Sequence, residues 1–189
     1  MDLLEQLQKF EPQNEQEARD CAEMISLLEN EQDLYTRENP HYHLTASAWV
    51  VNADRTKVLM AYHNLYDSWA WLGGHADGDK NLLYTAIREV QEESGLTNVK
   101  AVSENIYSVE ILTVDGHEKH GKYVASHLHL NVTYLLEADE NESLHNKPDE
   151  NSDVAWFSLE DAIKASNEEW FQQRIYTKLN CKLRRYMND

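Results

Sequence analysis

The chain is short of cysteine, proline and positive charge. Its two cysteines, Cys21 and Cys181, lie far apart and in no Cys-x-x-Cys spacing. That sets aside a disulfide framework and a cysteine-built zinc site, and favours a reducing cytoplasm. Lysine and arginine number 17 against 34 aspartates and glutamates, a formal net charge of −17. Such a chain repels nucleic-acid backbones and anionic membrane surfaces. A small anionic substrate remains admissible where metal cations neutralise the local field. No run approaches the roughly 20 apolar residues of a membrane span. The opening MDLLEQLQKFEP carries acidic residues where a secretion signal would be basic. The expectation is a cytoplasmic protein that binds neither membrane nor nucleic acid. A homodimer is left open.

What is present suffices for one core. Of 189 residues, 41% are hydrophobic and 10% aromatic, which argues for a single globular domain over residues 1–189. Leu3, Leu4, Leu7 and Phe10 recur at helical spacing and Pro12 ends that helix. Asn14 with Glu17 resembles a capping box, after which Ala18, Cys21, Ala22, Ile25 and Leu28 form an apolar stripe. Residues 1–40 therefore read as a helical extension, with a connector at 31–42. From His43 the period becomes strand-like: HLTASAWVVN and KVLMAYH flank the turn NADRT. WAWLGGHADGD reads as a glycine loop, followed by a helix from about Lys80 to Ser94 with Gly95 as its C′ residue. Strands are expected over 97–114 and 122–137, joined by the polar turn DGHEKHGK. ADENESLHNKPDENSD reads as a solvated loop and VAWFSL as a strand. A short helix, N-capped by Ser158, comes next. The closing helix, 167–187, carries Trp170, Phe171, Ile175, Leu179 and Leu183 on one face. This mixture predicts a layered α/β sandwich.

The chemistry concentrates in GGHADGDKNLLYTAIREVQEESGL, residues 73–96. On a helix, Leu82, Leu83, Ala86, Ile87 and Val90 cover an arc of about 140°, the buried face. Glu89, Glu92 and Glu93 span about 100° along its edge. Three carboxylates at i, i+3 and i+4 repel one another, and partial desolvation sharpens the conflict. A bound divalent cation removes it. Oxygen donors without cysteine favour Mg²⁺ or Mn²⁺ over Zn²⁺. Gly73 and Gly74 let backbone approach a ligand. A plain solvated helix face is the competing reading of the glutamates. His127, His129 and Asn131 alternate with Leu128, Leu130 and Val132, so the three polar residues share one strand face. A polar face without a role and a substrate contact stand equal for the histidines. A zinc site would need further ligands, and His117 and His120 lie in a turn. Trp69 and Trp71 flank the glycine loop as core residues, or as a platform for a base.

The segment resembles the Nudix box, in which Gly, five residues, Glu, seven residues and Arg-Glu lead to an aliphatic, any residue, Glu-Glu, any residue, Gly and an aliphatic. Gly74 and then Arg88-Glu89-Val90-Gln91-Glu92-Glu93-Ser94-Gly95-Leu96 supply that pattern. The resemblance extends loosely over 43–166. It implies a Nudix-type αβα sandwich with a mixed sheet, to which the N-terminal helices and C-terminal helix are additions. It implies hydrolysis of a diphosphate linkage in a small nucleotide-like substrate. Glu89, Glu92 and Glu93 would hold Mg²⁺ (or Mn²⁺), with the Gly74 carbonyl completing the shell. Glu89 or Glu93 would act as base, Glu150 and Asp153 being alternatives in a later loop, and Arg88 would orient a carboxylate. Gly73, Trp69, His127 and His129 are the candidate substrate contacts. The sequence departs from the box at Lys80, where Glu is asked for and which Asp79 or Asp77 would replace, and at Leu72, where many members have proline.

The substrate is read by elimination within the resemblance. ADP-ribose relatives tend to carry a proline where Ile111 stands. Dinucleoside-polyphosphate relatives tend to carry a tyrosine there, and Tyr107 falls short of it. A coenzyme A signature is absent. Nucleoside triphosphates, nucleotide sugars and non-nucleotide diphosphates remain, the first favoured. Two rivals are an isomerase of isopentenyl diphosphate, which needs a cysteine that Gly73-Gly74-His75 lacks, and a non-catalytic nucleotide-binding domain.

Overall fold

The computed structural model describes residues 1–30, 33–119 and 121–187. The chain divides into two compact units, each considered by itself: residues 1–47, 73–85 and 103–134, and residues 48–72, 86–102 and 135–189.

The first unit begins with α1 (Leu3–Lys9) and α2 (Glu15–Asn30). Asp2 caps α1 by accepting from the Glu5 N–H at 2.8 Å. At α2, Asn14 Oδ1 accepts from the Glu17 N–H at 2.9 Å, and the Glu17 carboxylate reaches back to the Gln13 N–H at 2.7 Å. The capping motif forms, displaced by one residue on its return arm. The apolar stripe is rotated from the expected one: Ala18 and Ala22 are exposed, and α2 buries Glu17, Cys21 and Met24. A carboxylate on the inner face is the reason, as described below. The strands of this unit are the first part of β1 (Tyr42–Val51), then β4 (Leu72–His75), β6 (Ser108–Val114), the hairpin of β7 (His117–Lys119) with β8 (Lys122–Val124), and most of β9 (His127–Glu137). β6 runs antiparallel to β9, from Ser108 opposite Thr133 to Val114 opposite His127. The segment expected to be a glycine loop is partly strand. Gly73 explains it: a Cβ there would stand 2.5 Å from the Ala46 carbonyl oxygen and 2.6 Å from Ser47 Cα. Only glycine lets β4 lie that close to β1.

The second unit contains β2 (Lys57–His63), β3 (Ser68–Ala70), β5 (Lys100–Ala101), β10 (Asn151–Ser158) and α4 (Leu159–Ala165). It also holds most of α3 (Leu82–Ser94), and α5 (Thr177–Leu183). β10 and β3 both pair antiparallel with β2, and β5 with the end of β9. Ser158 caps α4, accepting from the Asp161 N–H, as its sequence predicts. The C-terminal helix differs from expectation. Residues 171–176 form a wide π turn, and a 3₁₀ turn, residues 184–186, follows α5. The wider turn shifts the register, so Trp170 is exposed at 58% while Ile175, Tyr176, Leu179 and Leu183 are buried. Tyr176 stacks on Trp49 with ring centroids 5.4 Å apart. Among the described residues, no helix is long and apolar enough to cross a membrane.

Candidate active site and a histidine cluster

Helix α3 begins at Leu82, two residues later than expected. Asn81 caps it, its Oδ1 accepting from the Tyr84 N–H at 3.1 Å. Asp79 Oδ1 accepts from the Asn81 N–H at 2.8 Å. Lys80 is exposed beside this turn. Asp77 is held elsewhere, in a two-pronged pair with Arg37 at 2.7 Å on each arm. Of the two aspartates expected to stand in for the missing glutamate, Asp79 is the one at the helix start.

The C-terminal half of α3 buries Ala86 and Val90 and carries the three glutamates at graded depths. Glu93 is 5% exposed; Glu89 is half-buried and Glu92 exposed. Arg88 joins the set from the same helix: its guanidinium lies 2.9 Å from Glu89 and 3.8 Å from Glu92. Lys147 approaches from the loop before β10, 3.3 Å from Glu92 and 3.2 Å from Glu150. Burial pushes the Glu89 carboxyl above its ordinary range, and the Arg88 contact offsets this only in part. Glu150 is thus tied to Lys147, and Asp153 Oδ1 accepts from the Val154 N–H at 2.8 Å. The loop is anchored to the helix end. The Asn151 amide donates to the Glu93 carbonyl at 3.1 Å, and the His145 N–H to the Ser94 carbonyl at 2.8 Å. Gly95 closes the helix at φ +75°, and a Cβ there would press on the His145 side chain at 3.0 Å.

Trp69, on β3, meets Phe157 edge-on at 4.8 Å and Tyr62 at 5.5 Å, leaving its ring part-exposed. Trp71 packs against Tyr176 and Phe171. Gly74 is part-buried on β4.

His127 and His129 do face one side of β9, and they are not alone. Asn131 on that face accepts from Thr45 Oγ1 at 3.0 Å and Ser47 Oγ at 2.9 Å, which fixes β1 and β9 with their polar faces together. The same register sets His43 beside the two histidines, and His75 joins from the end of β4. Ring centroids lie 5.0 Å apart for His43 and His75, 4.9 Å for His43 and His127, 5.0 Å for His43 and His129, and 4.8 Å for His75 and His129. The sequence reading missed His43 and His75 because they come from strands far apart in the chain. The alternation of β1, in which His43, Thr45 and Ser47 share a face, was the available signal. His117 bonds to the Asp115 carbonyl through Nδ1 at 2.9 Å, and His120 lies outside the described residues.

Below the histidines the polar face continues inward. Asn131 Nδ2 donates to Glu110 at 3.0 Å, and so does the Thr133 hydroxyl at 3.0 Å. Ser108 Oγ lies 2.8 Å from Glu17 and also bonds Glu110. Glu17, Ser108, Glu110 and Thr133 are fully buried. This network is why α2 turns a carboxylate inward.

The NUDIX domain family model matches residues 41–179, most of the chain. The chain belongs to the Nudix family. Its α/β fold is the one expected, and it is a Nudix-type pyrophosphohydrolase, of a family whose members generally use divalent metal ions. Solved structures agree on the fold. A C. elegans Ap4A hydrolase binary complex has 20% identity and a TM-score of 0.55 over 77% of this chain and 97% of that one. A NUDIX-family hydrolase from Clostridium perfringens has 23% identity and a TM-score of 0.53 over 78% and 99%. MutT from Methanosarcina mazei Go1 has 18% identity and a TM-score of 0.50 over 76% and 96%. Comparison with curated proteins gave no match.

Proposed function

We propose that this Nudix hydrolase cleaves the diphosphate linkage of a nucleoside triphosphate or a closely similar nucleotide, using Mg²⁺ (or Mn²⁺). The observation that carries the reading is the gathering of Glu89, Glu92 and Glu93 on one helix. There, burial works against the charge of Glu89 and two cations, Arg88 and Lys147, already stand against the set. That donor chemistry fits a hard divalent ion. Glu89, Glu92 and Glu93 would hold it, with the Gly74 carbonyl as a further donor by family resemblance. The ion would supply neutralisation of phosphate charge and a more acidic water.

The chain's own groups do the rest. Arg88 fixes the Glu89 carboxylate through its 2.9 Å contact. Glu89 or Glu93 takes the proton from a water whose oxygen bonds to phosphorus, while the bridging P–O bond breaks and its electrons leave with the departing phosphate. Gly73 and the part-exposed Trp69 ring are assigned to substrate. A cytoplasmic setting accords with two cysteines that lie far apart in the chain, and a small anionic, nucleotide-like partner accords with the −17 charge once a bound cation neutralises the local field.

The test is hydrolysis of a panel of nucleoside triphosphates, nucleotide sugars and dinucleoside polyphosphates, with Mg²⁺ and after chelation. Triphosphates should be turned over best and chelation should abolish turnover. Glu92→Gln and Glu93→Gln should each lower kcat/KM by at least about 10²-fold. Activity that survives chelation, or unchanged turnover in both variants, would overturn the assignment.

A further inference from the structure

We propose that His43, His75 and His129, with His127 beside them, form a second metal site, one suited to a transition-metal cation of the Zn²⁺ kind. All four side chains belong to the first unit, so the site is complete within it. One ring nitrogen from each of His43, His75 and His129 lies within 4.8 Å of the others. Donors bound at about 2.0–2.1 Å around a tetrahedral ion stand about 3.4 Å apart. Small side-chain rotations close that gap without moving the strands.

Two further observations point to a cation. His43 is 5% exposed, yet neither of its ring nitrogens has a hydrogen-bond partner. Leaving a buried imidazole so is unfavourable, and a metal bond satisfies one nitrogen directly. His127 is oriented as a metal ligand is: Nδ1 donates to the Ala125 carbonyl at 2.8 Å, so Nε2 is the acceptor nitrogen, hydrogen-bonded to His129 Nε2 at 3.2 Å and turned toward the cluster.

The donor set also decides the ion. Imidazole nitrogens select Zn²⁺, Co²⁺, Ni²⁺ or Cu²⁺, whereas carboxylates suit Mg²⁺. The two sites therefore differ in chemistry, and one can be read in the presence of the other.

Tag-free, metal-stripped protein in excess Mg²⁺ is titrated with Co²⁺. One equivalent should produce the intense visible absorption of four-coordinate cobalt, and one equivalent of Zn²⁺ should remove it. His43→Gln and His129→Gln should weaken cobalt binding by more than the 10- to 100-fold typical of losing an outer hydrogen-bond partner. Glu92→Gln should leave the band intact. Failure to bind a stoichiometric ion, or a band that survives both histidine substitutions, would overturn the proposal. Should those variants not fold, histidine side-chain ¹⁵N spectra of the wild type decide. Zn²⁺ should shift the His43, His75 and His129 ring nitrogens, and unmoved ring signals would overturn it.

Discussion

Lys147, from the loop before β10, stands 3.3 Å from the carboxylate of Glu92 on helix α3. It occupies the charge that a metal ion would need. The two compete for Glu92, so Lys147→Met should lower the Mg²⁺ concentration for half-maximal turnover by up to about fivefold, the equivalent of an exposed pair worth about 0.2–1 kcal/mol. Metal-free stability should fall by no more than the same amount. Activity titrated with Mg²⁺ checks this. A raised Mg²⁺ requirement would mean that Lys147 serves the substrate phosphates instead.

Glu89 gives a pH dependence. Its carboxyl is raised by burial, so it is protonated more readily in the folded state than in the unfolded chain. That favourable difference is present below the ordinary value of about 4.3 and is lost as pH rises through the folded value. In the absence of metal, Glu89→Gln should therefore be the more stable protein at neutral pH. The gap between the two melting curves should close as pH falls below about 4.3. Melts with saturating Mg²⁺ should reverse the order, since only the wild type has the carboxylate. A variant that is less stable than wild type without metal at neutral pH would show the Arg88 contact outweighing burial.

Lys80 stands one residue before the cap of α3, at the end where negative charge is favoured. Lys80→Glu should raise the melting temperature, for a gain of about 0.3–1 kcal/mol, and change kcat/KM little. A large rise in turnover would instead identify Lys80 as a defect in the catalytic apparatus.

Helix α3 was legible because its information is local: the 3.6-residue period, Gly95 at the end and three glutamates at i, i+3 and i+4 all lie within one segment. Its start was placed two residues early because Asp79 and Asn81 build a capped turn where helix was expected. The histidine cluster was half legible. His127 and His129 declare their common face by alternation, but the register that adds His43 and His75 is a pairing of distant strands. The inner face of α2 was misread for the same reason. A carboxylate such as Glu17 reads as solvent-facing until Ser108, 91 residues away, is known to meet it. In the last helix, no local pattern signals the π turn that exchanges Trp170 for Tyr176 in the core.

That 91-residue separation also bears on how the chain is made. During synthesis from the N-terminus, α1 and α2 emerge long before Ser108 and Glu110 leave the ribosome. Until β6 arrives, α2 lacks the strand it packs against and Glu17 lacks its hydrogen bond from Ser108. The first helices must wait, exposed, for the middle of the chain. That interval, before β6 can cover α2, is when the growing chain is open to association with its neighbours.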